Sequence, residues 1–368
     1  MSMRRAACAA CAVPALAGPP AFAADPGLWV LTSTKTIPAY YRQGLASDPS
    51  QNVFFSGSFA GIYRTRNLVE KARNTSPIPP DVAKSEQYNH IGDISWDAGE
   101  GGRLLLPLEG YAPFGTDHNP GKTGSVGVMD PITLKWRYYV KLDPAEIEKA
   151  MWFATDPARG LLWTIRDSDL LAYNLSDINP ANAAPSGPVI HASRRLVGVV
   201  PNGAGGAVVL GGRIYLSTQA PGVNQIISVD PNTGSSQVEF ERPGDLEVEG
   251  METGPYLGGL LHWELVPGGG LSNTQLLNLV PTGAPLRVAL SAPRVRAGRK
   301  TALTATVTVA TTGGRIPLPG VQVRLGGRSA KTGDNGQAKL SVTLTRGSYK
   351  AQAFYAGLRT GTKRVGAI

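Results

Sequence analysis

The feature that most constrains the fold is a recurring pair of short strands joined by a tight turn. The pair is clearest in residues 86–111, where HIGDISWD and RLLLPLE are separated by the glycine-rich AGEGG. Short apolar runs bounded by such turns are typical of antiparallel strands. Variants of the second strand recur as VFFSGSF from Val53, LLWTIRD from Leu161, IYLSTQA from Ile214 and LLHWELV from Leu260. Most of the chain is therefore expected to be built from similar units.

The spacing of these units indicates the architecture. Starting from Val53, the second strands begin 51, 57, 53 and 46 residues apart. Four short strands with their turns need about 40–50 residues, which is the length of a propeller blade. The last unit lacks one strand, and residues 28–37, LWVLTSTKTI, supply a spare one before the first unit. Pairing the two ends would leave no free sheet edge. We therefore predict an all-β fold, with a β-propeller of about five blades, or alternatively six, over residues 25–284.

Helical patterning is confined to residues 144–151 and 68–73. From residue 285 to 368 the pattern changes to runs that alternate apolar and polar residues, such as TALTATVTVA and AKLSVTLT, joined by PLPG and GDNG. About 80 residues of such strands predict a β-sandwich. The phrase V-x-A-G-x-x-x-x-L-x-A-x-V-T from Val295, with TGDNGQAKLSV, resembles the bacterial immunoglobulin-like repeats of surface and secreted proteins. That resemblance implies a spacer or adhesive module without catalytic residues.

The amino terminus has the features of an export signal. Arg4 and Arg5 precede a small apolar run, and Ala21-Phe22-Ala23 matches a cleavage site. We predict a signal peptide over residues 1–24, cleaved near Ala23-Ala24, and a secreted, bacterial protein. Both cysteines lie inside this signal. The mature chain is thus expected to have no disulfide, no thiolate metal site and no cysteine nucleophile. No later segment is long and apolar enough to cross a membrane.

The net charge of +9 conceals a strong asymmetry. Residues 285–368 carry 15 Lys and Arg against a single acid, Asp334, which gives +14. Residues 25–284 then carry −7, because Arg4 and Arg5 add +2 in the signal. A basic tail predicts an anionic partner. Export favours an anionic cell-surface polymer or carbohydrate, and we expect no nucleic acid. The sequence does not indicate an oligomeric state.

In a propeller the innermost strands line a central channel, and ligands bind at its mouth. We assign residues 88–93, 150–153, 198–202 and 247–252 to these strands. The candidate ligand-binding residues on them are His90, Asp93, Trp152, Glu249 and Glu252. Asp93, Glu249 and Asn202 form a candidate metal site, because carboxylate and amide oxygens suit Ca²⁺ or another hard divalent cation.

The step Glu249-Gly250 resembles the acidic-glycine step of calcium-dependent propellers, the gluconolactonase-like and phytase-like groups. The resemblance covers a few residues per blade, and neither family's complete ligand set is present.

Two functions follow as hypotheses. The first is a secreted or cell-surface binding or scaffold protein with a ligand site at the channel mouth. The alternative is a divalent-cation-dependent hydrolase, lactonase-like or glycosidase-like, acting at the same channel. Asp48, Asp93, Asp167 and Glu249 are the carboxylates that a glycosidase would draw on. No catalytic residue is identified. A further interpretation is that the polar residues only hydrogen-bond neighbouring blades around a hydrated channel.

Overall fold

The computed structural model describes residues 29–57, 61–110, 124–267, 273–311 and 314–368. The predicted signal peptide lies outside these residues. Over these ranges the protein is nearly all β, and its strands form seven small sheets. The coarse prediction of an all-β, propeller-like protein is therefore confirmed. Within the described ranges, no helix is both long enough and apolar enough to span a membrane.

Five antiparallel sheets follow one another along residues 29–281. Sheet 1 contains β2 (Gly44–Ser47), β3 (Val53–Ser56), β4 (Ile62–Arg66) and β5 (Val69–Asn74). Sheet 2 contains β6 (His90–Ile91), β7 (Ser95–Asp97), β8 (Arg103–Glu109), β9 (Ser125–Met129) and β10 (Trp136–Lys141). Sheet 3 contains β11 (Ala154–Asp156), β12 (Leu161–Arg166), β13 (Asp169–Asn174) and β14 (Arg194–Leu196). Sheet 4 contains β15 (Gly206–Leu210), β16 (Arg213–Ala220), β17 (Val223–Val229) and β18 (Ser236–Pro243). Sheet 5 contains β19 (Glu247–Tyr256), β20 (Gly259–Val266), β21 (Thr274–Pro281) and β1 (Trp29–Ile37).

The recurring apolar runs are the second strands of these sheets. Every residue of β8 and β20 is buried, because each central strand is covered on both faces by a neighbouring sheet. Separate apolar clusters join sheet 1 to sheet 2, sheet 2 to sheet 3 and sheet 3 to sheet 4. Further clusters join sheet 4 to sheet 5 and sheet 5 back to sheet 1.

The two ends of this region are joined by β1. It pairs antiparallel with β21 from Trp29↔Pro281 to Ile37↔Thr274. The predicted pairing of the amino-terminal strand with the sheet that contains Leu260 is confirmed, and β1 supplies the outer strand that the last unit lacks.

Both helix predictions are wrong. Residues 69–74 form strand β5, and residues 144–151 begin with a turn and continue as irregular backbone. The α-helix found in the described part of the chain, α1 (Pro80–Glu86), has proline at its start and Asp81 in its first turn. Both features favour a helix amino terminus, but its seven residues are too few to show a helical period.

The carboxyl-terminal part, residues 286–367, contains two further sheets. Sheet 6 consists of β22 (Leu286–Leu290), β24 (Lys300–Thr311), β25 (Gly314–Pro317) and β28 (Gln337–Thr343). Sheet 7 consists of β23 (Arg294–Val295), β26 (Gln322–Leu325), β27 (Arg328–Lys331), β29 (Gly347–Phe354) and β30 (Gly361–Ala367). The alternating residues of both sheets contribute to one apolar cluster, which continues into sheet 5.

This C-terminal unit lies against β1. The Tyr355 hydroxyl donates to the backbone carbonyls of Leu31, at 3.1 Å, and Thr32, at 3.2 Å. Lys35 of β1 forms an ion pair of 2.7 Å with Asp334.

Candidate functional site

Asp93, between β6 and β7, lies where the inner strands of all five sheets meet. Its side chain is fully buried. One carboxylate oxygen accepts the backbone N–H of Leu45 in sheet 1 at 2.9 Å. The other accepts the N–H groups of Ala207 in sheet 4 and Met251 in sheet 5, each at 3.1 Å. The Asp93 backbone pairs with the segment before β11, receiving the N–H of Phe153 at 3.0 Å. A single residue of sheet 2 therefore contacts the other four sheets.

The strands approach Asp93 so closely that side chains would not fit. A Cβ on Gly44 would lie 2.2 Å from the Asp93 Cα, and one on Gly206 would lie 2.6 Å from its Oδ2. Burial raises the pKa of the Asp93 carboxyl, while the three N–H donors act in the opposite direction because they stabilise the charged form. Both Asp93 oxygens thus accept backbone N–H groups. The positive hydrogen atoms of these groups occupy the positions from which a cation would have to bind the oxygens.

The predicted metal site does not come together around Asp93. Glu249 is buried near it, but Asn202 is exposed in a turn that the Gly203 N–H closes on the Val200 carbonyl at 3.0 Å. The inner strand of sheet 4 begins at Gly206 rather than within residues 198–202, so the placement of Asn202 on an inner strand is wrong. The glycines at 198 and 203 have positive φ and form turns on either side of Asn202.

The remaining predicted ligand-binding residues are held by other parts of the protein. The His90 Nδ1 lies 2.8 Å from the Glu109 Oε1, its cross-strand neighbour on β8. Trp152 is fully buried and donates its indole N–H to the Ala204 carbonyl at 3.0 Å, so its ring has no exposed face for a ligand. Glu252 accepts the N–H of Ser47 at 2.7 Å, and burial raises the pKa of its carboxyl to about 8.

The carboxylates that a glycosidase would use do not lie together in the structure. Asp48 accepts the backbone N–H of Asn52 at 2.9 Å within its own turn. The Asp167 side chain is 91% exposed at the tip of the β12–β13 hairpin. Neither is placed to act with Asp93, whose oxygens are enclosed at the axis.

Two buried titratable residues of β20 are not among the site residues predicted from the sequence. His262 lies between the Asn278 Oδ1, at 2.7 Å from its Nδ1, and the Gly254 carbonyl, at 2.9 Å from its Nε2. Burial lowers the pKa of His262 to about 4, which favours the neutral ring, and a neutral ring donates to only one of these two oxygens. Glu264, two residues further on, is fully buried as well. Both are hidden within the apolar run LLHWELV, which as a sequence indicates only a core strand.

A surface group of Asp143, Glu146 and His191 offers three ligand atoms within 4.8 Å of one another. Its members already bind one another and the backbone. The His191 Nδ1 lies 2.9 Å from the Asp143 Oδ2, and Glu146 accepts the N–H of Ala192 at 2.7 Å. The hydrogen-bonding atoms of these three side chains therefore already have partners within the protein.

The outer side of sheet 7 is strongly basic. All 15 Lys and Arg of residues 285–368 are exposed. Because Val323, Ala351 and Val365 point into the core, the alternating positions point outward, and four of these are cationic. We call this set the basic face: Arg324, Lys331, Lys350 and Arg364.

Like charges are neighbours on the basic face. Lys350 stands directly opposite Arg364 on the adjacent strand, which is destabilising in the absence of an anion. A depression of about 420 Å³ is lined by Arg324, Arg328 and Lys350 together with Gln322 and Gln352. A second depression, of about 540 Å³, is lined by Arg287, Arg359 and Lys363.

Comparisons with known proteins concern the fold alone. The sequence matches no known family, and no curated protein matches it. The PQQ-bound aldose sugar dehydrogenase of Streptomyces coelicolor is 11% identical, over 70% of this chain and 100% of that one, with a TM-score of 0.36. Glutaminyl cyclase of Myxococcus xanthus is 10% identical, over 69% and 99%, with a TM-score of 0.41. An exo-β-1,3-galactanase of Phanerochaete chrysosporium is 11% identical, over 92% and 98%, with a TM-score of 0.43. These values carry no argument about a ligand or reaction of this chain.

Proposed function

We propose that the protein is an exported binding protein that attaches to an anionic polymer of the cell surface through its C-terminal unit. Residues 25–284 form a five-bladed propeller, in which sheets 1 to 5 are the blades and β1 closes the ring. Residues 285–368 form an immunoglobulin-like sandwich of sheets 6 and 7. The observation that carries the proposal is the basic face, where four outward cations share one sheet without an acid.

The C-terminal unit cannot neutralise its own charge. Its single acid, Asp334, is already paired with Lys35 of β1, outside the unit. Fifteen exposed cations at close spacing repel one another, and this repulsion is relieved when a polyanion replaces their counterions. The two depressions are broad, open and lined by cations, which suits a linear polymer that crosses several strands.

The alternative, a cation-dependent hydrolase at the axis, receives less support. Such an enzyme needs carboxylate oxygens that are open to substrate and water. Asp93 instead uses both oxygens to bind backbone N–H groups of three other sheets. We therefore assign Asp93 a structural role, and we propose that the propeller serves as a scaffold for the C-terminal unit.

The test measures retention of the full chain on polymers of different chemistry. A polyuronate and a teichoic-acid-type polyphosphodiester are immobilised, with double-stranded DNA as a third surface. We expect binding to both cell-surface polymers at 50 mM salt and a loss of at least about tenfold in affinity at 200 mM. A variant carrying Arg324→Gln, Lys331→Gln, Lys350→Gln and Arg364→Gln should lose most of the binding.

The matched control removes four exposed cations elsewhere in the same unit: Arg294→Gln, Arg296→Gln, Arg299→Gln and Lys300→Gln. It has the same net charge as the first variant and should retain most of the affinity. Equal losses in the two variants would mean that overall charge, rather than the basic face, is responsible. No binding to either polymer at 50 mM salt would refute the proposal, and binding to DNA alone would refute the class of partner.

A further inference from the structure

Glu264 is the acidic residue whose surroundings are most unusual among those the structure describes. It lies in the middle of β20, in a strand with every residue buried, and its own exposure is 0%. Neither of its carboxylate oxygens has a hydrogen-bond partner within the described part of the chain. Buried polar groups are nearly always satisfied, so a carboxylate with two unpartnered oxygens indicates that something else binds there.

A second carboxylate lies across from it. The pairing of β19 with β20 shifts register between Val248↔Leu265 and Met251↔Trp263. This bulge places Glu249 and Gly250 opposite Glu264. Glu249 is 8% exposed. Burial raises the pKa of its carboxyl, and the charges of Glu247 and Glu264 raise it further. Its hydrogen bond from Gln43 is long, with 3.4 Å between the Glu249 Oε1 and the Gln43 Nε2.

The positive charge that acts on both carboxyl groups belongs to Arg42. Arg42, just before β2, lies close enough to favour the charged forms of Glu249 and Glu264, but its guanidinium is 3.6 Å from Glu247. Three carboxylates therefore face one guanidinium in the seam between sheets 5 and 1. Asp93, nearby at the axis, adds a further negative charge.

A proton satisfies Glu264 less well than a cation does. Protonation would remove the charge, but it would bring no donor to the carboxyl oxygens, so at least one buried Glu264 oxygen would still lack a partner among the described residues. A cation engages both oxygens at once and also offsets the repulsion from Glu249. Carboxylate and amide oxygens are hard ligands, and Ca²⁺ accepts irregular sets of them more readily than Mg²⁺ does.

We propose that Glu249 and Glu264 together bind a divalent cation, Ca²⁺, in the seam where sheet 5 meets sheet 1, beside Gln43. The site shares only Glu249 with the one expected from the sequence. It lies beneath the surface at the closure of the ring, where a bound cation joins the last sheet to the residues that lead into the first.

The test compares melting of the full chain in EDTA and in excess CaCl₂, with MgCl₂ as a parallel arm. Metal content of the dialysed protein is measured by mass spectrometry. We expect Ca²⁺ to raise the melting temperature by about 3 °C or more and Mg²⁺ to raise it less. Glu264→Gln, which keeps the shape and removes the charge, should abolish the response to Ca²⁺. It should also melt above the wild type in EDTA, because it removes the unpaired charge.

Glu148→Gln is the control, since Glu148 is an exposed glutamate between β10 of sheet 2 and β11 of sheet 3, outside sheets 5 and 1. It should keep the wild-type response. If Glu264→Gln does not fold, Glu249→Gln replaces it with the same expectation for Ca²⁺. Identical melting of the wild type in EDTA and CaCl₂, without bound metal, would overturn the proposal. So would a Glu264→Gln variant that responds to Ca²⁺ as the wild type does.

Discussion

At the scale of single residues, Asp93 joins the inner strands of the five sheets. Its carboxylate accepts three backbone N–H groups from three sheets, and its own backbone pairs with a fourth. A buried N–H group that lost this acceptor would remain without a partner, at a cost of about 1–3 kcal/mol. The inner strands are therefore tied together at the axis by the protein itself.

Replacing Asp93 with Asn should be strongly destabilising. The amide has one acceptor oxygen, and its NH₂ group would face an N–H donor, so at least one buried donor loses its partner. We expect a loss of about 2–5 kcal/mol in the free energy of unfolding, measured by urea denaturation. Asp167→Asn is the control, because Asp167 is 91% exposed and Asn tolerates its positive φ of 55°. Equal stability of Asp93→Asn and wild type would contradict the role assigned to Asp93.

The sequence pointed to Asp93 and Glu249 because acids are rare in inner strands, but it gave no indication of their partners. Those partners are backbone N–H groups of Leu45, Ala207 and Met251, and no side chain marks a backbone donor. Glu264 went undetected for a related reason. It is embedded in an apolar run, and only the bulge in the register of β19 brings Glu249 opposite to it.

At the scale of elements, the sequence correctly predicted the strands whose two faces are both covered by neighbouring sheets. Their unbroken apolar runs and the turns before them are set by local chemistry. The inner strands of sheets 3 and 4 were misplaced, because β11 has only three residues and β15 follows a glycine-rich turn. Their positions depend on contacts at the axis rather than on their own composition.

Strand β1 should be essential to the ring. Deleting residues 25–37 would expose the edge of β21 along eight paired positions and uncover buried Leu276. We expect aggregation, with binding of a hydrophobic dye and a large drop in melting temperature. Deleting residues 25–28 alone leaves β1 in place and is expected to have no such effect. A protein without residues 25–37 that stayed soluble and melted normally would rule out closure by β1.

At the scale of the whole molecule, charge is divided between two units that nevertheless share a core. Composition alone predicted the division, because the acids and bases are separated along the chain. The contact between the units was not predictable, since it depends on the surface of β1 after it has paired. A single apolar cluster contains Leu279 of sheet 5 together with Leu286 and Val321 of the C-terminal unit.

This shared cluster predicts that the two units unfold together. Tyr355 donates to two carbonyls of β1, and Lys35 pairs with Asp334, so opening the ring also removes contacts of the C-terminal unit. We expect one calorimetric transition whose calorimetric and van't Hoff enthalpies agree. Tyr355→Phe should lower the stability of this one transition by about 1 kcal/mol. Tyr349→Phe, which removes a hydroxyl bound only to Thr345 within an exposed hairpin, should change it little. Two separate transitions, with Tyr355→Phe shifting neither, would show that the units are independent and that β1 closes the ring without help from the C-terminal unit.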